Sequence, residues 1–277
     1  MTLPMLDAGA LTVLDAADAL EAALAAGLDP ETAAPRAIVP VGAGELLVMP
    51  AAVGAHAAVK LVTVGPGEPR VQGVCVLFDA ESLAPVALLD GIALTNLRTA
   101  AVSALAVRRL AAPDARRLLV FGRGPQGRAH ADAMQAIRPI EHVELVGREG
   151  APDELVAAAD IICCCTTARE PLFDGALVAD HACVVAVGSH EPDAREVDER
   201  LVARATVVVE SRTAALREAG DVIAAGLDGD ALVTLPELVA GYQPPAGRPR
   251  LFKSVGMAWE DTVVAAEVFD RTSTAAG

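Results

Sequence analysis

The stretch LLVFGRGPQGRAH, Leu118 to His130, constrains the fold of this chain more than any other. An apolar run enters three glycines spaced G-x-G-x-x-G and leaves into a segment with helical character. In a strand-turn-helix unit, Gly122 permits the tight turn, Gly124 lets backbone approach a pyrophosphate, and Gly127 lets helix and strand pack closely. The amides at the helix start, from Gln126 onward, then face the phosphates, and Pro125 suits a first turn where its missing N–H costs nothing. From Arg116 onward, the strand patterns RRLLVFG, HVELVG, DIICCCT, ACVVAVG and TVVVES alternate with helical patterns over PQGRAHADAMQAI, APDELVAAA and DERLVARA. Such alternation predicts an α/β fold, a Rossmann-type doubly wound parallel sheet with helices on both faces.

The first part of the chain has a different grammar. TVLDAADALEAALAAGL reads as an amphipathic helix ending on glycine. ELLVMPAAV, AAVKLVTV, GVCVLFDA and APVALLD then read as strands separated by Gly/Pro turns, which is antiparallel patterning. TNLRTAAVSALAVRRLAAPDA reads as a long helix closing at Pro113. The expected organisation is an α+β domain over residues 1–112, a dinucleotide-binding domain over 113–253, and a final amphipathic helix over 254–277 that rejoins the first domain. GYQPPAGRPR reads as a flexible connector, and disorder is expected only in the terminal RTSTAAG.

At 277 residues with a formal net charge of -15, the chain is a poor partner for nucleic acid or an anionic membrane, both of which reward clustered Lys and Arg. A small anionic substrate remains compatible, because a few buried cations act locally. The first residues fit neither a secretory signal nor a transit peptide, and no run suits a bilayer span, so the cytoplasm is the expected location. The cysteines, Cys75, Cys163, Cys164, Cys165 and Cys183, form no C-x-x-C pair, and no metal site is expected. In DIICCCTT they read as small core residues.

Cofactor choice is read at the end of the second strand of the α/β part, where a carboxylate accepts ribose hydroxyls in NAD sites. Here HVELVGREG ends in Gly147 and Arg148. A guanidinium there pairs with a 2′-phosphate, which favours NADPH, while Glu149 keeps NADH open. Thr166, at the end of the cysteine strand, is a further cofactor-side candidate. His130 reads as a packing or capping group and Asp221 as structural.

Several segments together resemble the ornithine cyclodeaminase and mu-crystallin family: VMPAA, VKLVTV, LTNLRTAA, FGRGPQGRAH, VGSHEPDAREVD, EAGDVI and SVGMAWED. They span nearly the whole chain in the family's order. The resemblance implies a homodimer whose first domain binds substrate and forms the dimer surface, a nicotinamide nucleotide in the second domain, and chemistry at a C=N bond of an amino acid. Arg98 in LRTAA matches the arginine that grips the substrate carboxylate, Lys60 in VKLVTV the active-site lysine, and Arg36 lies near a second carboxylate-contacting arginine. Asp261 in WED reads as completing or capping the site near the nicotinamide, with helix N-terminal capping as its alternative role. His190 reads as lining the cofactor edge, as sharing a proton relay, or as an ordinary loop residue. A buried Lys60 or Arg98 could also be neutralised by the chain's own Asp or Glu.

Cyclodeaminases of the family carry an aspartate where this chain has His190 in Gly188-Ser189-His190, and an acid where it has Leu47. Both departures favour NAD(P)H-dependent reduction of a small cyclic ketimine acid, such as pyrroline-2-carboxylate to proline. Cyclodeamination of ornithine, deamination as by an alanine dehydrogenase, and a non-enzymatic NADPH-binding role as in crystallins are the alternatives.

Overall fold

A computed structural model describes residues 2–275. The chain divides into two compact units, one made of the residues up to 101 together with those from 257 on, the other of residues 102–256. The division falls inside a helix that runs through TAAVSALAVRRL, not at Pro113, because that run of Ala, Leu and Arg contains no residue that stops a helix.

In the first unit, β1 (Met5–Leu6) precedes α1 (Val13–Ala25). Then follow β2 (Ala37–Val41), β3 (Gly44–Val53), β4 (His56–Val64), β5 (Val71–Asp79), β6 (Pro85–Asp90) and α2 (Gly91–Leu110). Thr12 and Asp15 close α1 with a capping box, worth about 1 kcal/mol. The sheet order is β1-β6-β5-β4-β3-β2, antiparallel except for the β1–β6 pair. β2, AIVPV, escapes pattern reading: it is exposed along its whole length, so nothing alternates, and its Pro40 is tolerated because the strand lies at an edge. Elsewhere alternation holds, and Met49, Lys60, Cys75 and Leu89 form one row of paired positions across β3 to β6 on the buried face. The last helix, Ala258–Ala275, packs on β3, β4 and α1. Contrary to the expected disorder, it carries the described part of RTSTAAG; residues 276 and 277 lie outside the described residues.

The second unit contains β7 (Arg117–Phe121), α3 (Pro125–Ile137), β8 (His142–Val146), α4 (Asp153–Ala158) and β9 (Ile161–Cys164). It continues with β10 (Cys183–Ala186), α5 (Glu199–Arg204), β11 (Thr206–Val209), α6 (Arg212–Glu218) and α7 (Gly220–Ala224). β12 (Leu232–Thr234), α8 (Leu235–Val239) and β13 (Arg250–Lys253) complete it. All pairings are parallel, in the order β12-β11-β13-β10-β9-β7-β8. The supposed connector GYQPPAGRPR therefore leads into a central strand, with Leu251, Phe252 and Lys253 fully buried between β10 and β11. Four residues beside Pro and Gly give too short a pattern to read.

Strand order reverses at β7: β8 lies on one side and β9 on the other, which makes the carboxyl ends of β7 and β9 the switch point where ligands bind in such sheets. Cys75, Cys163, Cys164 and Cys183 are buried, and burial pushes the Cys75 and Cys183 thiols up to about 12. Among the described residues no group of His, Cys, Asp or Glu could hold a metal, and no helix is long and apolar enough to cross a membrane.

Candidate active site and nucleotide turn

Gly122 leaves β7 with φ of 115°, in the region that favours glycine, and a Cβ there would collide with the Cys165 carbonyl. A Cβ on Gly127 would run into the Gly122 carbonyl. Gly124, by contrast, faces open space and is the N-cap of α3 with no side chain capping it, and Pro125 follows as the first helical residue. The turn from Gly122 through Gly124 into the start of α3 thus leaves backbone open beside Gly124, and the cradle fits a pyrophosphate. These observations agree with a resident nicotinamide dinucleotide.

At the end of β8, Arg148 is exposed. Glu149 accepts a bond from the Gly147 amide at 3.0 Å and pairs with Arg123 at 2.5 Å; its own backbone amide first, then the Gly147 amide and Arg123, hold its carboxyl below the usual range. Arg123, the variable residue between the first two glycines, also donates to the Leu145 carbonyl. The Thr166 hydroxyl donates to Glu196, in the segment after β10, at 2.8 Å and accepts from the Ala168 amide of its own loop at 3.1 Å. His190 is half-buried in the loop after β10. His130 is fully buried, its Nδ1 against the Gln126 carbonyl at 2.8 Å and its Nε2 against Ser103 at 2.9 Å. Burial lowers its pKa to about 4. It is a neutral packing group.

In the first unit, Lys60, Arg98 and Asp261 come together with Glu260, which sequence reading passed over. Lys60 Nζ lies 2.9 and 2.8 Å from the two Asp261 oxygens and donates to Thr95 at 3.1 Å. Arg98 donates through Nε to Asp261 at 3.1 Å and through one terminal nitrogen to Glu260 at 2.8 Å. Each of the four is at least nine-tenths buried. Asp261 therefore belongs with Lys60 and Arg98 in this unit, while Glu260 accepts from the Met257 amide in the manner of a capping residue. Adjacent acids at a helix start read as capping, which hid Glu260. The internal partners that an acidic chain offers its buried cations are present: two cations balance two carboxylates. Burial lowers the Lys60 pKa to about 8, Asp261 pulling it back up and Arg98 adding to the fall.

Arg36 is half-buried just before β2. Leu47, where a cyclodeaminase carries an acid, is buried on the same sheet face as Lys60. An apolar open cleft of about 900 Å³, bordered by Gly27, Pro50, Ala52, Phe78 and Trp259, lies in the same unit; none of the four cluster residues lines it. The cleft offers shape, the cluster chemistry.

Residues 7–152 and 149–276 match the ornithine cyclodeaminase/mu-crystallin family. The chain is 36% identical over 267 residues to ketimine reductase mu-crystallin of Mus musculus, covering 86% of this chain and 85% of that protein. It is 35% identical over 250 residues to a Δ1-pyrroline-2-carboxylate reductase of Bacillus cereus, covering 76% of each. Its structure is similar to that of Thermococcus litoralis Δ1-pyrroline-2-carboxylate reductase in complex with NADH and L-proline, with a TM-score of 0.89, 27% identity, and coverage of 99% and 98% of the two chains.

Proposed function

This chain belongs to the ornithine cyclodeaminase/mu-crystallin family, and from that premise we propose that it is an NAD(P)H-dependent reductase of small cyclic ketimine acids. Its first substrate is Δ1-pyrroline-2-carboxylate and its product proline, the reaction class named for its relatives.

The observation that carries the reading is the charge-balanced cluster of Lys60, Arg98, Glu260 and Asp261. A cyclic ketimine acid in its imine form offers a carboxylate to one cation and a neutral nitrogen to the other as proton donor, so the two cations of the cluster serve the two ends of one substrate. Arg98, assisted by Arg36, holds the substrate carboxylate with charge-assisted hydrogen bonds. Lys60, whose pKa near 8 lets it give up a proton close to neutrality, protonates the imine nitrogen, and Asp261 keeps its ammonium aimed. When bound at the glycine turn, NAD(P)H supplies the hydride for the imine carbon. As that C–H bond forms, the C=N π electrons pass to the nitrogen, which takes the Lys60 proton. Arg148 favours the 2′-phosphate of NADPH, and His190 lines the nucleotide edge.

The same reading includes a homodimer. The second face of the first unit's sheet presents Leu46, Val48, Val59, Leu61, Val74 and Val76, all partly exposed, and edge strand β2 exposes Ile38, Val39 and Val41. An apolar sheet face of this kind suits a second copy.

A panel of five- and six-membered ketimine acids assayed with NADPH and with NADH tests the function. Turnover of at least one of them is expected. Release of ammonia from ornithine or alanine without imine reduction identifies a deaminating enzyme instead, and tight nucleotide binding without any turnover identifies a storage protein.

A further inference from the structure

The second unit holds a group of buried charges that the reaction does not use: Glu196, Asp221 and Lys253, none more than 1% exposed. One oxygen of Glu196 accepts from the Thr166 amide at 2.7 Å and the Thr166 hydroxyl at 2.8 Å; the other accepts from the Gly188 amide at 2.7 Å. Thr166 lies in the loop after β9 and Gly188 in the loop after β10, so one carboxylate ties the two loops together. Gly188 is the only kind of residue that fits there, since a Cβ would meet both the Thr166 carbonyl and the Glu196 carboxylate. The glycine turn abuts the first of these loops through the Cys165 carbonyl, against which Gly122 is packed.

The other two charges hold the arrangement in place. Asp221 accepts from the Glu196 and Val197 amides at 2.7 and 2.9 Å, fixing the segment that presents Glu196. Lys253, at the end of central strand β13, pairs with Asp221 at 3.1 Å and donates to the Ser189 carbonyl at 2.7 Å. Burial pushes the Glu196 carboxyl up, but Lys253 and the three donors act against that shift. A carboxylate serves here because it accepts only, and all three of its partners donate.

We infer that Glu196 is a positioning residue for the nicotinamide nucleotide: its carboxylate sets the spacing of the loops after β9 and β10, and with it the shape of the strand edge beside the glycine turn. The inference rests on the NAD(P)H reading, so nucleotide binding by the unaltered chain is measured first. Failure of that chain to bind either NADPH or NADH overturns the nucleotide reading and the inference with it.

Fluorescence titration of the full chain with NADPH and NADH then compares E196Q, E196D and T166V. In E196Q one oxygen becomes an amide NH2 that cannot accept from both loops, and the nucleotide Kd rises about ten-fold or more, as expected for a lost hydrogen bond to a charged group. E196D keeps the charge with a shorter reach and falls between E196Q and the native chain. T166V loses only the hydroxyl bond and weakens binding about three-fold, at the scale of a single neutral bond. If E196Q fails to fold, E196D and T166V carry the test alone. A lowered melting temperature with nucleotide Kd unchanged across the folded variants means a structural role only, and overturns the inference.

Discussion

Two buried ionic groups, one in each unit, use the same residue types for different ends. In the first, Lys60, Arg98, Glu260 and Asp261 satisfy mainly one another, with separations of 2.8 to 3.1 Å. In the second, Glu196 and Asp221 spend their oxygens chiefly on backbone amides, and Lys253 reaches a backbone carbonyl. Side chains that neutralise each other can exchange a partner for a substrate group or pass a proton. Charges committed to backbone cannot do so without unmaking a loop. Burial of a charge is therefore no mark of chemistry in itself; what the charge faces decides.

That contrast can be broken most sharply at Lys60. K60M should lower kcat for ketimine reduction by about 100-fold or more, the scale of a lost general acid, and leave nucleotide Kd within about two-fold of native. A comparable loss of nucleotide affinity in K60M would erase the distinction between the two groups, as would full catalytic rate.

His130 sharpens the contrast from the acid side. Its pKa is lowered from 6.5 to about 4, so between those values the unfolded chain binds more protons than the folded one and stability falls as pH falls. The loss should approach about 3 kcal/mol once pH drops below 4. Denaturant unfolding across that range checks it, with H130Q expected to be less acid-sensitive than the native chain. The smallest effect belongs to Arg148: exposed as it is, R148A should reduce the preference for NADPH over NADH by about ten-fold, with Lys60-dependent proton transfer unaffected. The ratio of kcat/KM for the two nucleotides measures it.

Legibility in the sequence followed the same division. The glycine turn and α3 could be read residue by residue, since Gly122 and Gly127 answer to close backbone contacts and Gly124 leaves open space at the helix start. Lys60 stood out as a charge in an apolar alternating strand, and Arg98 through its segment's resemblance. Asp261 stood out through its segment's resemblance, but its pairing did not, and Glu260 was passed over: Asp261 is 201 residues from Lys60, and nothing local marks an acid at a helix start as the partner of a distant lysine. The Glu196 network was hidden for the same reason, as it joins residues from two loops, helix α7 and a strand, β13, that has too few residues to show a period. Thr166 was singled out as a cofactor contact, while its hydroxyl is spent on Glu196.

The pH dependence of kcat/KM for ketimine reduction, measured for the native chain and for D261N, tests the central claim most directly. With Lys60 as proton donor, the native rate should hold below about pH 8 and decline above it as the ammonium is lost. Asp261 raises the Lys60 pKa, so its neutralisation in D261N should move that decline to lower pH. A native profile flat well beyond pH 8, or a D261N decline at the same or higher pH, would contradict the assignment of Lys60 and Asp261 to the proton.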